Sequence, residues 1–201
     1  MLSHASIYEL LQVAVGSNAS HRRLAGEHLR LAPGAAVLDI GCGPGHILRA
    51  LPQDVRYVGF DLSPEYIAAA RRTWGDRGEF HCMDVREADV AAGSFDVVLV
   101  MGILHHLDDA ACGALFELAV RALTSDGRLV SVDPAWAPGQ PALARWLIGR
   151  DRGENVRSGE AYAALAQPWF GAVTVSLRDD LLRVPYTHAV LECSQPGRSV
   201  G

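Results

Sequence analysis

Asp39-Ile40-Gly41-Cys42-Gly43-Pro44-Gly45 places an acid two residues ahead of three glycines that alternate with other residues. Glycine reaches left-handed backbone conformations and has no Cβ to obstruct a ligand, so such a loop suits close contact with a nucleoside-sized molecule. Two more acids follow, Asp61 twenty residues after Gly41 and then Asp84. A carboxylate can take both hydroxyls of an unphosphorylated ribose. Further on, His105 and His106 stand side by side. An imidazole titrates near neutrality and can remove a proton from an attacking hydroxyl. Asp133 is of the type that orients such an imidazole or fixes an acceptor hydroxyl.

These residues need a scaffold that brings them to one place. The pattern predicts helices over 5–15 and 19–31, broken by Pro33-Gly34. Short apolar strands are expected at 37–40, 57–60 and 79–83, and a fully apolar one at 95–100 reads as a central parallel strand. Helices should cover 45–51, 64–74 and 108–123. Ser63-Pro64 supplies an N-cap and a first-turn proline. A fifth strand is expected at 128–132, an irregular stretch at 135–158, a helix at 159–167, and strands at 172–178 and 187–193. Five strand–helix units in succession imply right-handed crossovers and a mostly parallel sheet. The last two strands are joined by residues 179–185, too few for a crossover helix, and should pair antiparallel. Seven strands then form a doubly wound, three-layer α/β sheet with an antiparallel C-terminal edge hairpin. In such a sheet ligands sit beyond the C-terminal strand ends, where Asp39, Gly41–Gly45, Asp61, Asp84, 101–106 and Asp133 all fall.

The loop discriminates between nucleotides. A dinucleotide fingerprint wants its third glycine at the sixth position, which is His46 here. A GK[ST] phosphate loop is absent. DIGCGPG instead resembles the glycine loop of class I S-adenosylmethionine-dependent methyltransferases, and the run FDVVLVMGILHHLDD is similar to that family's fourth strand and following loop. The likeness spans about residues 35–133.

That resemblance implies a Rossmann-like fold, S-adenosylmethionine as cofactor and S-adenosylhomocysteine as product. Its cofactor site falls on Asp39, Gly41, Cys42, Gly43, Gly45, Asp61, Leu62, Asp84, Val85 and Met101, with Asp84 and the Val85 N–H at the adenine. His105 or His106 becomes the possible general base, with Asp133 beside it and His105 favoured. The chain then divides into an N-terminal helical cap (1–33), a cofactor-binding core (35–133), an acceptor lid (134–158) and a C-terminal helix with strands (159–201). Trp136, Arg145, Trp146, Arg150 and Arg152 of the lid, and Tyr8 of the cap, are candidate acceptor contacts. The arginines suit an anionic or sugar-like acceptor, or else pair with Asp151 and Glu154 at the surface.

Composition limits the alternatives. The 201 residues are 49% apolar and 20% charged, with a mean hydropathy of +0.11, which suits one globular domain and excludes intrinsic disorder. All 18 basic residues are arginine and the net charge is −5, against a broad nucleic-acid surface and against any lysine Schiff base. Four scattered cysteines form no CxxC pair, so neither a metal site nor a disulfide framework is expected, and a reducing cytoplasm is. No membrane span or secretory leader is expected. O-methylation of a small molecule ranks first. A non-catalytic cofactor-binding or regulatory module and N- or C-methylation follow, and an NAD-dependent oxidoreductase ranks below them.

Overall fold

The computed structural model describes residues 17–150 and 153–197. Its strands are β1 (Ala36–Ile40), β2 (Arg56–Asp61), β3 (Glu79–Cys82), β4 (Phe95–Met101), β5 (Leu123–Trp136), β6 (Arg157–Ser158), β7 (Phe170–Arg178) and β8 (His188–Pro196). The helices are α1 (Ser17–Leu24), α2 (Pro64–Trp74), α3 (Asp109–Ala122), α4 (Ala142–Ile148) and α5 (Gly159–Ala166). The main sheet runs β3-β2-β1-β4-β5-β8-β7, with the short β6 attached to β5. β1 to β5 pair in parallel, while β8 lies antiparallel between β5 and β7. This is the expected mostly parallel α/β sheet with an antiparallel edge. The strand order reverses between β1 and β4, and the crevice between their C-terminal ends is where a ligand belongs.

β4 shows why the sheet is covered on both sides. Val98 and Val100 face one apolar cluster with Leu115, Phe116 and Ala119 of α3 and Tyr162 of α5. Val97 and Leu99 face a second cluster with Leu24 and Leu29 of the N-terminal segment and Ile67 and Ala70 of α2. Successive strand side chains point to opposite faces, so each alternate position must find its own covering layer.

Several elements depart from expectation. The helix expected over 45–51 is a single 3-10 turn, His46–Arg49, entered through Gly45 at φ +72°. The connection from β3 to β4 holds only a 3-10 turn, Val85–Glu87, so it is not a full strand–helix unit. The helix expected over 19–31 starts earlier and loosens into a π-turn over Ala25–Leu29, closed by Arg30 in the left-handed region. β5 is longer than 128–132, because its pairing resumes after a register shift between Phe95/Leu123 and Val97/Arg128. The stretch 135–158 is not irregular: it carries α4 and β6, and Ala144 and Ile148 are buried. The helix expected over 5–15 lies outside the described residues.

Candidate active site

The glycine loop leaves β1 with Gly41 at φ +75°, and Gly43 and Gly45 are also left-handed, at +53° and +72°. The N–H groups of Gly41 and Cys42 both donate to the Phe60 carbonyl, at 2.8 and 2.9 Å, tying the loop to the end of β2. L side chains rarely adopt the Gly41 φ, and a Cβ at Gly41 would lie 2.3 Å from Ile103 Cδ1, so the Ile103 side chain would have to shift to admit one. Asp61 completes the turn. Its Oδ2 accepts from the Gly43 N–H at 2.9 Å and its Oδ1 from the Ser63 N–H at 2.8 Å. Ser63 in turn caps α2 by accepting from the Tyr66 N–H.

On one side of Gly41 opens a cleft of about 250 Å³ lined by Asp61, Leu62, Asp84, Val85 and the apolar Phe60, Met83 and Ile103. Asp84 caps the Val85–Glu87 turn through the Arg86 N–H, and its carboxylate is gripped by the Arg86 guanidinium, with Nη2 at 2.6 Å. Those Arg86 hydrogen bonds hold Asp84 below the usual carboxylate range. Asp39 does not reach this cleft. β1 places it two residues below Gly41 and fully buried, where its Oδ2 accepts from the Tyr57 hydroxyl at 2.5 Å. Only two of the three expected carboxylates therefore meet at the rim. Burial raises Asp39 to about 7, against the lowering effect of the Tyr57 bond.

On the other side of Gly41 lies a chamber of about 380 Å³. Cys42, Gly43, Met101 and His105 line it, with His46, Val132 and Pro134. Burial pushes the Cys42 thiol far up, so it stays protonated and no nucleophile forms there. His105 is 4% exposed. Its Nδ1 lies 2.9 Å from Asp133 Oδ1, and its backbone N–H donates to the same oxygen at 3.2 Å. Asp133 is wholly buried at the end of β5, and its Oδ2 has no hydrogen-bond partner among the described residues. Were Asp133 ionised it could only accept, which would put the proton on Nδ1 and leave Nε2 as the basic nitrogen. His106 is exposed, with its ring centroid 4.0 Å from that of His105, and does not line the chamber.

The far wall is not the expected lid. It comes from Ser20, His21 and Leu24 of α1 and from Leu181, Leu182, Tyr186 and His188 in and after the β7–β8 connection. Pro134 is the one lining residue among the described residues of 134–158. Trp136, Arg145, Trp146 and Arg150 line neither cavity. They stack on one another instead, Arg145 over Trp136 at 5.7 Å and Arg150 over Trp146 at 4.0 Å, with Trp146 largely exposed. Tyr8 and Arg152 lie outside the described residues. Burial, reinforced by His46 and Arg49, lowers His21 to about 4 and keeps its imidazole neutral. A signal for this wall was present: β8 runs antiparallel and pairs His188 with Pro134, so the β7–β8 loop must sit at the rim where the parallel strands end.

Residues 37–127 match a family model described as a methyltransferase domain. This matched segment, a little under half of the chain, is a methyltransferase domain of the class I S-adenosylmethionine-dependent type. It is 30% identical over 144 residues to the phosphoethanolamine N-methyltransferase of Triticum aestivum, covering 69% of this chain and 28% of that protein. It is 30% identical over 135 residues to the malonyl-[acyl-carrier protein] O-methyltransferase of Legionella pneumophila, covering 63% and 45%. The chain thus spans less than half the length of either relative. A TehB-like S-adenosylmethionine-dependent methyltransferase from Corynebacterium glutamicum shares the fold, with a TM-score of 0.63 and 19% identity over 95% of this chain and 96% of that one. The methyl donor of the family is S-adenosylmethionine.

Proposed function

We propose that this methyltransferase methylates a hydroxyl oxygen of a small, uncharged acceptor, with His105 as general base and Asp133 holding it. The observation that carries this reading is the 2.9 Å His105 Nδ1–Asp133 Oδ1 pair on the wall of a chamber that shares Gly41 with the Asp61 cleft.

The cleft fits the donor. Asp61 is the residue to accept from the ribose hydroxyls, and Leu62, Met83, Val85 and Ile103 offer apolar surface to adenine. Asp84, already bound to Arg86, stands at the adenine edge beside Val85. Gly41 and Gly43 let the backbone close on the methionine portion, with Met101 nearby in the chamber. A pyrophosphate suits the site poorly: the Gly43 N–H is already given to a carboxylate, which places negative charge where a phosphate would lie. That favours the methyl donor over a dinucleotide.

When bound, S-adenosylmethionine supplies an electrophilic methyl on its sulfonium, and the acceptor oxygen displaces the thioether in line. The chain's part is to place that oxygen and take its proton. Asp133 fixes the His105 tautomer, so the proton leaving the acceptor goes to Nε2, and the buried carboxylate then stabilises the imidazolium. Neutral His21 stands among the apolar Leu24, Leu181 and Leu182, beside Ser20, whose hydroxyl donates to the Leu181 carbonyl. Among the described lining residues there is no arginine and no carboxylate, which disfavours an anionic acceptor.

The test follows S-adenosylhomocysteine formation with neutral alcohols, phenols and sugars as acceptors. His105→Ala is expected to lower turnover by about 100-fold or more, the usual contribution of a positioned base. A rate equal to that of the wild type contradicts the proton-transfer role and leaves catalysis to proximity alone.

A further inference from the structure

We infer that Arg157 is a positioning residue for the His105–Asp133 pair. The inference rests on the reading of His105 as the proton acceptor. Arg157 begins β6, and its backbone is in register with Ala135, two residues beyond Asp133. Its side chain is 12% exposed and crosses to the turn that carries His105. There the guanidinium bridges the two sides of the Leu104–His106 turn: Nη1 donates to the Leu104 carbonyl at 3.0 Å and Nη2 to the Leu107 carbonyl at 2.8 Å. Nη1 also donates to the Asn155 carbonyl at 2.9 Å, and the Asn155 N–H donates to the His105 carbonyl at 2.9 Å. On the outer side, Nη2 meets the Asp109 carboxylate at 2.6 Å.

The same residue reaches the other member of the pair. The Arg157 N–H donates to the Tyr162 hydroxyl at 3.3 Å, and that hydroxyl donates to the Pro134 carbonyl at 3.1 Å. Tyr162 is wholly buried. One arginine therefore fixes the backbone on both sides of His105 and, through Tyr162, the backbone next to Asp133. The planar fork allows the bonds around His105, because it directs several N–H groups at fixed angles, whereas the Tyr162 bond comes from the backbone N–H. Gly153 completes the packing: a Cβ there would lie 2.0 Å from His105 Cδ2, so the chain before Arg157 presses directly on the imidazole. The segment expected to wall the acceptor instead sets the base.

Arg157→Lys tests this, since it keeps the charge and loses the fork. The readout is the His105 Nδ1 proton, followed by proton NMR with S-adenosylhomocysteine present and assigned by its loss in His105→Ala. Calorimetry with S-adenosylhomocysteine and the melting temperature accompany it. The expected result is a signal that disappears or exchanges at least about tenfold faster, with ligand affinity little changed. With an acceptor in hand, kcat falls by about 100-fold while KM moves little, as mispositioning predicts. A protected signal at the wild-type exchange rate overturns the inference, and so does loss of fold or of ligand binding, which assigns Arg157 a structural role. A wild-type protein with no such signal overturns it as well. Failure of the underlying reading looks different: His105→Ala then keeps full turnover, whatever Arg157→Lys does.

Discussion

Asp39 and Asp133 are both buried carboxylates in β1 and β5, strands that flank β4 in one sheet, yet their partners give them different work. Asp133 meets an imidazole and a backbone N–H on one oxygen. Asp39 meets only the Tyr57 hydroxyl, and its Oδ1 has no partner among the described residues. Burial therefore raises Asp39 to about 7 from a usual 3.8. Between those values the unfolded chain is ionised while the native chain still binds the proton, so stability falls as pH rises through the window. Asp39→Asn keeps an acceptor for Tyr57 and removes the titration. Melting curves from about pH 4 to pH 8 should show the wild type losing stability relative to the variant up to about 7 and then levelling off. Parallel curves contradict this account of Asp39. The sequence showed an acid before the glycines, but not that strand alternation turns it into the core beside Tyr57.

Among the elements, α3 follows directly on the His105 turn, and its start is fixed by Asp108, whose Oδ1 accepts from the Ala111 N–H at 2.8 Å. Asp108→Ala is expected to cost about 1 kcal/mol, the usual value of such a cap. At this chain length that lowers Tm by roughly 2–4 °C in a calorimetric scan; an unchanged Tm means the cap contributes nothing. Strong periodicity made β1, β2, β4, α2 and α3 legible, because each has an apolar side that must be buried. Within 135–158, Gly and Pro mark loops locally. Burial of Ala144 and Ile148 outweighs that signal and folds α4. The Arg157 fork was likewise invisible, since its acceptors beside His105, the Leu104 and Leu107 carbonyls, lie 53 and 50 residues away along the chain.

At the scale of the molecule, the chamber closes because the N-terminal segment is fastened to the far edge of the sheet. Ser20 Oγ donates to the Leu181 carbonyl at 2.5 Å, Arg23 pairs with Asp180 at 2.6 Å, and His28 and Arg30 both reach Glu192. The exposed pairs are worth little singly, and buried Leu24 and Leu29 carry most of the attachment. This long-range closure had no local signature, although the antiparallel β8 already fixed where its loop must lie. The proposed donor site on the opposite side of Gly41 was legible because it is built from one loop and two strand ends. It is also the part on which the chemistry depends. Titration calorimetry of S-adenosylhomocysteine into the wild type and Asp61→Ala, each checked for folding, tests it most directly. The wild type should bind one ligand per chain, and the variant about 100-fold or more weaker, as expected when ligand hydroxyls lose a charged acceptor. Equal affinity in the two proteins would contradict the placement of the methyl donor in the Asp61 cleft.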